Sequence, residues 1–180
     1  MKGIVFTEFL AMVDDRFSPA MVERILDGAT LSSGGAYTAV GTYDYREILE
    51  LVGRLSRETD LAPSDLVRAF GEHLFGRFVV GYPQFFTDVD DAFTFLQRID
   101  GYIHIEVRKL YPDAELPRFE CDLSQPGRMV LTYRSSRPFA DLAEGLILGC
   151  VNHFGEALDI TREDMAPDGT AARFLLAARA

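Results

Sequence analysis

The hydrophobic period of this chain changes at Pro112. Upstream, apolar residues recur three and four apart, the spacing of one face of an α-helix. Val5, Phe9 and Met12 share such a face over residues 4–17, with Phe6, Leu10 and Val13 beside them. Ile48, Leu51, Val52 and Leu55 repeat the pattern in a third helix, and Leu66, Phe70, Leu74 and Phe78 in a fourth. Downstream, residues 128–135 alternate: Met129, Leu131, Tyr133 and Ser135 point one way, and Arg128, Val130, Thr132 and Arg134 the other. That strand pairs with residues 118–123 across the turn Gln125-Pro126-Gly127. A second pair, 158–165 and 172–178, flanks Pro167-Asp168-Gly169, and a long helix from Phe139 to Phe154 lies between the pairs. A helical block followed by a strand-rich block predicts an α+β fold.

Local signals set the helix boundaries. Ser18-Pro19 is an N-cap followed by proline at the first helical position, and Gly28 closes that helix. Residues 30–42 read as a loop, broken by Ser32, Ser33, Gly34, Gly35 and Gly41. Asp44 with Glu47 three residues later predicts a capping box. The fourth helix starts at Pro63 and ends at Gly81-Tyr82-Pro83, and a further helix covers 92–99. Asp100 is expected to cap the next helix, which stops before Pro112 because a residue preceding proline avoids the helical region. Asp88, Asp90 and Asp91 lack the glycine and distal glutamate of a calcium loop, so they read as a solvated turn.

Charge narrows the partners. Eighteen basic against 28 acidic residues leave a net charge of −10, which argues against a nucleic-acid surface and against a polybasic membrane anchor. No run reaches the roughly 18 apolar residues a membrane span needs. The first ten residues, with Glu8 inside the apolar run, do not form a signal peptide. Two cysteines, Cys121 and Cys150, do not make a disulfide framework, so a reduced, cytoplasmic protein is expected. Tryptophan is absent, and 14 Phe and 7 Tyr supply the aromatic volume.

Two features carry chemistry. His104 borders the apolar face of its helix, in register with Val107 and Tyr111, and its ring nitrogens need a carbonyl, a carboxylate or a metal. Tyr133, Ser135 and Arg137 project from one side of an extended segment, a row of donors suited to an anion. Without further context, a satisfied core histidine and a solvent-facing arginine explain each feature alone. Together they suit a haem: histidine for the iron, the donor row for the propionates, and an apolar wall for the porphyrin.

Over essentially its whole length the chain resembles the H-NOX family, the haem nitric oxide/oxygen-binding domains also found as the sensor domain of soluble guanylate cyclase. Met1-Lys2-Gly3, Gly34-Gly35-Ala36-Tyr37-Thr38, Tyr82-Pro83 with Phe85-Phe86, the stretch from His104 to Pro112, Pro117 and the Tyr133/Ser135/Arg137 row carry that resemblance. It implies one domain over 1–180, with a helical N-terminal subdomain (about 1–62) and a C-terminal subdomain (about 63–180) of helices and a four-stranded antiparallel sheet, haem b between them. It implies that His104 is the axial ligand, that Tyr133, Ser135 and Arg137 hold the propionates, and that Pro117 distorts the porphyrin. Val5, Phe9, Leu74, Phe78, Leu142 and Leu146 would form the distal pocket. Members that bind O2 stably carry a distal tyrosine five residues past the arginine of the donor row; here that position is Leu142, and the helix 139–154 contains no tyrosine. The resemblance therefore implies a non-enzymatic sensor of NO that also binds CO, excludes O2, and signals in trans to a histidine kinase or a diguanylate cyclase. In the family's mechanism NO weakens the bond to histidine, the haem flattens, and the subdomains rotate. An O2-handling haem protein and a cofactor-free interaction domain are the alternatives.

Four further features are weaker. His73 lies on the apolar face with Leu66, Phe70 and Phe78, as a structural or pocket-edge residue. His153, three residues after Cys150, has too few cysteines for a closed zinc site. Gly34, Gly35 and Gly41 lack dinucleotide spacing and read as a packed loop. Asp44 is explained by helix capping, with an ion pair to Arg137 as the other reading.

Overall fold

The computed structural model describes residues 1–179. Helices α1 (Gly3–Arg16), α2 (Pro19–Asp27), α3 (Tyr45–Thr59) and α4 (Pro63–Gly81) come first. A short 3₁₀ turn (Pro83–Phe86) leads to α5 (Ala92–Arg98), a π-helical turn (Ile99–Ile103) and α6 (His104–Leu110). Strands β1 (Arg118–Asp122) and β2 (Arg128–Arg134), helix α7 (Ala140–Phe154), and strands β3 (Leu158–Asp164) and β4 (Ala171–Ala178) follow. The sheet is antiparallel throughout, in the order β1-β2-β4-β3. The α+β class and both predicted strand pairs are present.

The helix starts follow from side-chain chemistry. Ser18 Oγ accepts from the Met21 amide at 3.2 Å, and Asp44 Oδ1 accepts from the Arg46 amide at 2.9 Å. The predicted capping box does not form. Glu47 instead turns inward and is almost fully buried. Its carboxylate accepts from the Ser32 and Ser33 hydroxyls, from the Ser33 amide at 3.1 Å and from the Tyr37 hydroxyl at 2.7 Å. A buried carboxylate must be satisfied, and the 30–42 loop satisfies this one. Tyr37 then stacks on Phe6, ring centroids 4.5 Å apart, so the loop is packed.

Asp100 is a second correction. No helix starts there: the chain continues from α5 through the π turn into α6, and Asp91 caps α5 through the Thr94 amide at 2.8 Å. Asp100-Gly101 resembles a break because both residues favour turns. The π turn accommodates them by widening one turn, with the His104 amide donating to the Ile99 carbonyl.

The buried side chains form two clusters. One gathers α1, α2, α3 and the first half of α4, with Phe6, Phe9, Met12, Ile25, Leu51 and Leu55 at its centre. The other lies between the sheet and helices α5 and α7, with Met129, Leu131, Tyr133, Phe174 and Leu176 fully or nearly fully buried on one sheet face. Helix α4 serves both: Leu66, Val67, Phe70 and Leu74 belong to the first cluster and Phe75 to the second. It crosses α7 at two glycines. A Cβ on Gly145 would lie 2.0 Å from the Arg68 carbonyl oxygen, and one on Gly71 2.6 Å from that of Leu142. Only glycine permits backbones to approach this closely.

Candidate functional site

A cavity of about 330 Å³ separates the two clusters. On one side stand Ile4 and Val5 of α1, Leu74 and Phe78 of α4, and Leu142 and Leu146 of α7, all apolar. On the other stand Ile103, His104, Val107, Pro117 and Phe119. At one end the lining turns polar, with Lys2, Tyr133, Ser135 and Arg137.

His104 is buried and lines this cavity. Its Nδ1 lies 2.7 Å from Asp100 Oδ1, one helical turn back. The other oxygen of Asp100 accepts from the Phe119 amide at 3.0 Å. One carboxylate thus ties the imidazole to the first residues of β1. Facing a carboxylate, Nδ1 must carry the proton, which leaves Nε2 with a free lone pair. Burial lowers the His104 pKa, and Asp100 only partly offsets this, so the ring is neutral at neutral pH. A neutral, oriented imidazole is what a metal requires.

The donor row follows β2. Tyr133 is buried, and its hydroxyl donates to the Arg137 carbonyl at 3.5 Å. Burial pushes its pKa up, so it stays a neutral donor. The strand ends at Arg134, one residue earlier than expected, but the Ser135 amide still donates to the Thr170 carbonyl at 2.8 Å. Ser135 Oγ accepts from the Arg137 amide at 3.1 Å. Arg137 Nη2 donates to Glu115 Oε2 at 2.9 Å, and its guanidinium lies 5.6 Å from the centroid of the Tyr45 ring. The pairing with Asp44 is not made, since Asp44 engages Arg46.

Residues 2–162 match the family model for haem-NO-binding domains. The chain belongs to the haem-NO-binding (H-NOX) family. Its structure is similar to that of an H-NOX protein from K. algicida in the unliganded Fe(II) state, at 38% identity and TM-score 0.93, over 100% of this chain and 97% of that one. It also resembles the Shewanella woodyi H-NOX in its Fe(II)CO state with IWP-051 bound (40% identity, TM-score 0.84, 99% and 95% covered). The S. oneidensis H-NOX protein in the Fe(II)NO state matches over the full length of both chains, at 25% identity and TM-score 0.91. This is a family of haem-based gas-sensor domains whose members bind haem and gaseous ligands such as NO and CO.

The residues of this H-NOX chain fit a haem on their own chemistry. One neutral histidine with a free lone pair faces an apolar slot, and a cation with two hydroxyls closes one end. Such a slot accepts a flat apolar group that carries carboxylates on one edge and a metal at its centre.

Five of the six residues expected in the distal pocket line the cavity: Val5, Leu74, Phe78, Leu142 and Leu146. Phe9 does not. It is fully buried one turn further along α1, in the first cluster, edge-on to Phe70 at 5.3 Å. Only the first turn of α1 reaches the cavity; beyond it the same face meets α4. His73 also lies outside the lining, with Nε2 3.7 Å from Glu8 Oε2, which also accepts from Arg77 Nε at 2.8 Å. Burial lowers the His73 pKa. His153 packs beside Phe75, Phe86 and Phe154. Cys121 and Cys150 are free thiols, and burial pushes the Cys121 pKa up to about 11.

Sequence reasoning overlooked Asp100 as the partner of His104. The i, i+4 spacing on a continuous helix was the available signal, hidden because Asp-Gly was read as a helix start. Lys2, Thr42, Tyr111, Asp113 and Glu115 were also missed, and they line the polar end. Among the described residues, no helix is long and apolar enough to cross a membrane.

Proposed function

We propose that this chain is a non-catalytic haem b sensor that responds to NO, also binds CO, and discriminates against O2. The observation that carries the reading is the wall opposite His104. Val5, Leu74, Phe78, Leu142 and Leu146 offer no hydrogen-bond donor there. When bound, haem supplies a ferrous iron that takes up diatomic gases.

The chain's own residues then divide the work. His104 Nε2 would hold the iron, with Asp100 fixing the ring's tautomer and rotation. Tyr133, Ser135 and Arg137 would hold the carboxylates. Pro117, which lines the cavity, would pack against the macrocycle. The opposite wall denies O2 the hydrogen bond that a polarised ligand needs. A hydrogen bond to a charged acceptor contributes about 1.5–3 kcal/mol, or roughly one to two decades in affinity. NO binds without such help, so the absence of a donor selects for it.

Signal output belongs to the His104 side. Asp100 joins His104 to the Phe119 amide, so release of His104 would free α6 and the start of β1 together. This is a two-state element biased by the ligand. The state is read in trans, in the cytoplasm, by a sensor histidine kinase or a diguanylate cyclase.

The test is an absorption spectrum of the reduced protein alone, in air and with NO. A five-coordinate ferrous band that is unmoved by air and shifted by NO is the expected result. A stable oxy spectrum in air would replace this reading with an O2-handling haem protein. No haem band after reconstitution would leave a cofactor-free interaction domain.

A further inference from the structure

The segment between α6 and β1 crosses the polar end of the cavity. Residues 111–117 contain no buried side chain and no strand or helix, and Pro112 and Pro117 stiffen both ends. Tyr111, Asp113, Glu115 and Pro117 line the cavity from outside. The segment is held by two fastenings to distant parts of the chain. In the first, Lys2 Nζ donates to Asp113 Oδ1 at 3.0 Å and Oδ2 at 3.2 Å, and the Thr42 hydroxyl donates to Oδ2 at 2.8 Å. Lys2 also lies over the Tyr111 ring, 5.1 Å from its centroid. In the second, Glu115 engages Arg137 at 2.9 Å.

We propose that residues 111–117 are a strap whose two side-chain fastenings open to let haem enter and leave the cavity. This inference rests on the haem reading above. A segment without a core of its own opens at low cost, because only its fastenings resist. Both fastenings have one exposed partner: the Asp113 and Glu115 side chains are 57% and 68% exposed. They therefore open far more readily than the clusters above and below. Glu115 has a further part. It places an in-chain carboxylate on the guanidinium that would otherwise meet a haem carboxylate. Arginine has five N–H donors in a planar fork, so Arg137 can take an incoming carboxylate on its other N–H groups and hold Glu115 again once the strap closes. The cation is then paired throughout.

The experiment compares Asp113→Asn, Glu115→Gln and the double variant with the unaltered chain. Haem uptake by the haem-free protein is followed by stopped flow, and haem release from the loaded protein by transfer to excess apomyoglobin. A gate speeds both directions equally. Each single variant should raise both rates about two- to fivefold, the range expected for losing one exposed ion pair, and the double variant should raise them by about the product. Salt at about 0.5 M should act in the same direction on the unaltered chain. Unchanged rates, or a rise in release alone, would overturn the strap, because a mere contact to haem affects only release. An unaltered chain that takes up no haem would overturn the haem reading itself, and the strap with it.

Discussion

The two walls of the cavity are built on opposite principles. The wall of Val5, Leu74, Phe78, Leu142 and Leu146 comes from three regular helices, α1, α4 and α7, and its side chains are all apolar. The wall of His104 and Pro117 comes from a π turn, a seven-residue helix and an irregular segment, and it is threaded by charge pairs. A helical wall packed into a core has one arrangement and can only select by shape and polarity. A wall held by a few hydrogen bonds opens at lower cost than a packed core and so is suited to report. On the proposed function, selection and output are therefore separated across the cavity.

Four changes break or sharpen that separation. The largest effect belongs to the reporting wall. His104→Gly should abolish the protein–iron bond, and added imidazole should restore a five-coordinate ferrous spectrum; an unchanged spectrum without imidazole would remove His104 from its role. Next is the selecting wall. Leu142→Tyr introduces a donor and should raise O2 affinity about ten- to a hundredfold, measured by oxygen titration, with little change for CO. No gain would mean that this wall does not face the gas. Third, Asp100→Asn removes the charged partner of Nδ1. It should lower the iron–histidine stretching frequency in resonance Raman and weaken haem retention on the order of tenfold, leaving O2 discrimination as it was. The smallest effect lies outside both walls. Glu47→Ala strands the Ser32, Ser33 and Tyr37 donors and should cost about 1–3 kcal/mol of stability, seen as a lower thermal midpoint with an unaltered haem spectrum.

Glu47 also gives a pH dependence with a definite sign. Burial alone would raise its pKa, but the hydrogen bonds from Ser32, Ser33 and Tyr37 prevail and hold it below the ordinary value of 4.5. A depressed folded pKa means that the contribution is complete above about 4.5 and is lost as pH falls through the folded value. Acid unfolding monitored by circular dichroism should therefore begin at higher pH in Glu47→Gln, which lacks that charge from the start.

The distinction between walls also explains what could be read from the sequence. The helices of the first block and the alternation of 128–135 announce themselves by period, because burial on one face dictates residue type at fixed spacing. His104 and the Tyr133, Ser135, Arg137 row stand out because polar residues interrupt those patterns. Phe9 was misplaced because a period identifies a face but not which neighbour each turn of it meets. The capping box fails at Glu47 because its donors lie 10 to 15 residues away across a loop. Asp100 and Glu115 sit where turn-forming residues dominate. There, local propensity predicts irregular backbone and is silent about which carboxylate reaches which cation.

The contact of Gly71 and Gly145 has a mechanical consequence. With Cβ positions excluded by backbone at 2.0 to 2.9 Å, α4 and α7 cannot slide along or roll over each other without collision. Because α4 contributes to both clusters, the close crossing of α4 and α7 ties the spacing of one cluster to that of the other. A single methyl at either glycine would have to push the two backbones apart, and that displacement would be felt in both clusters at once.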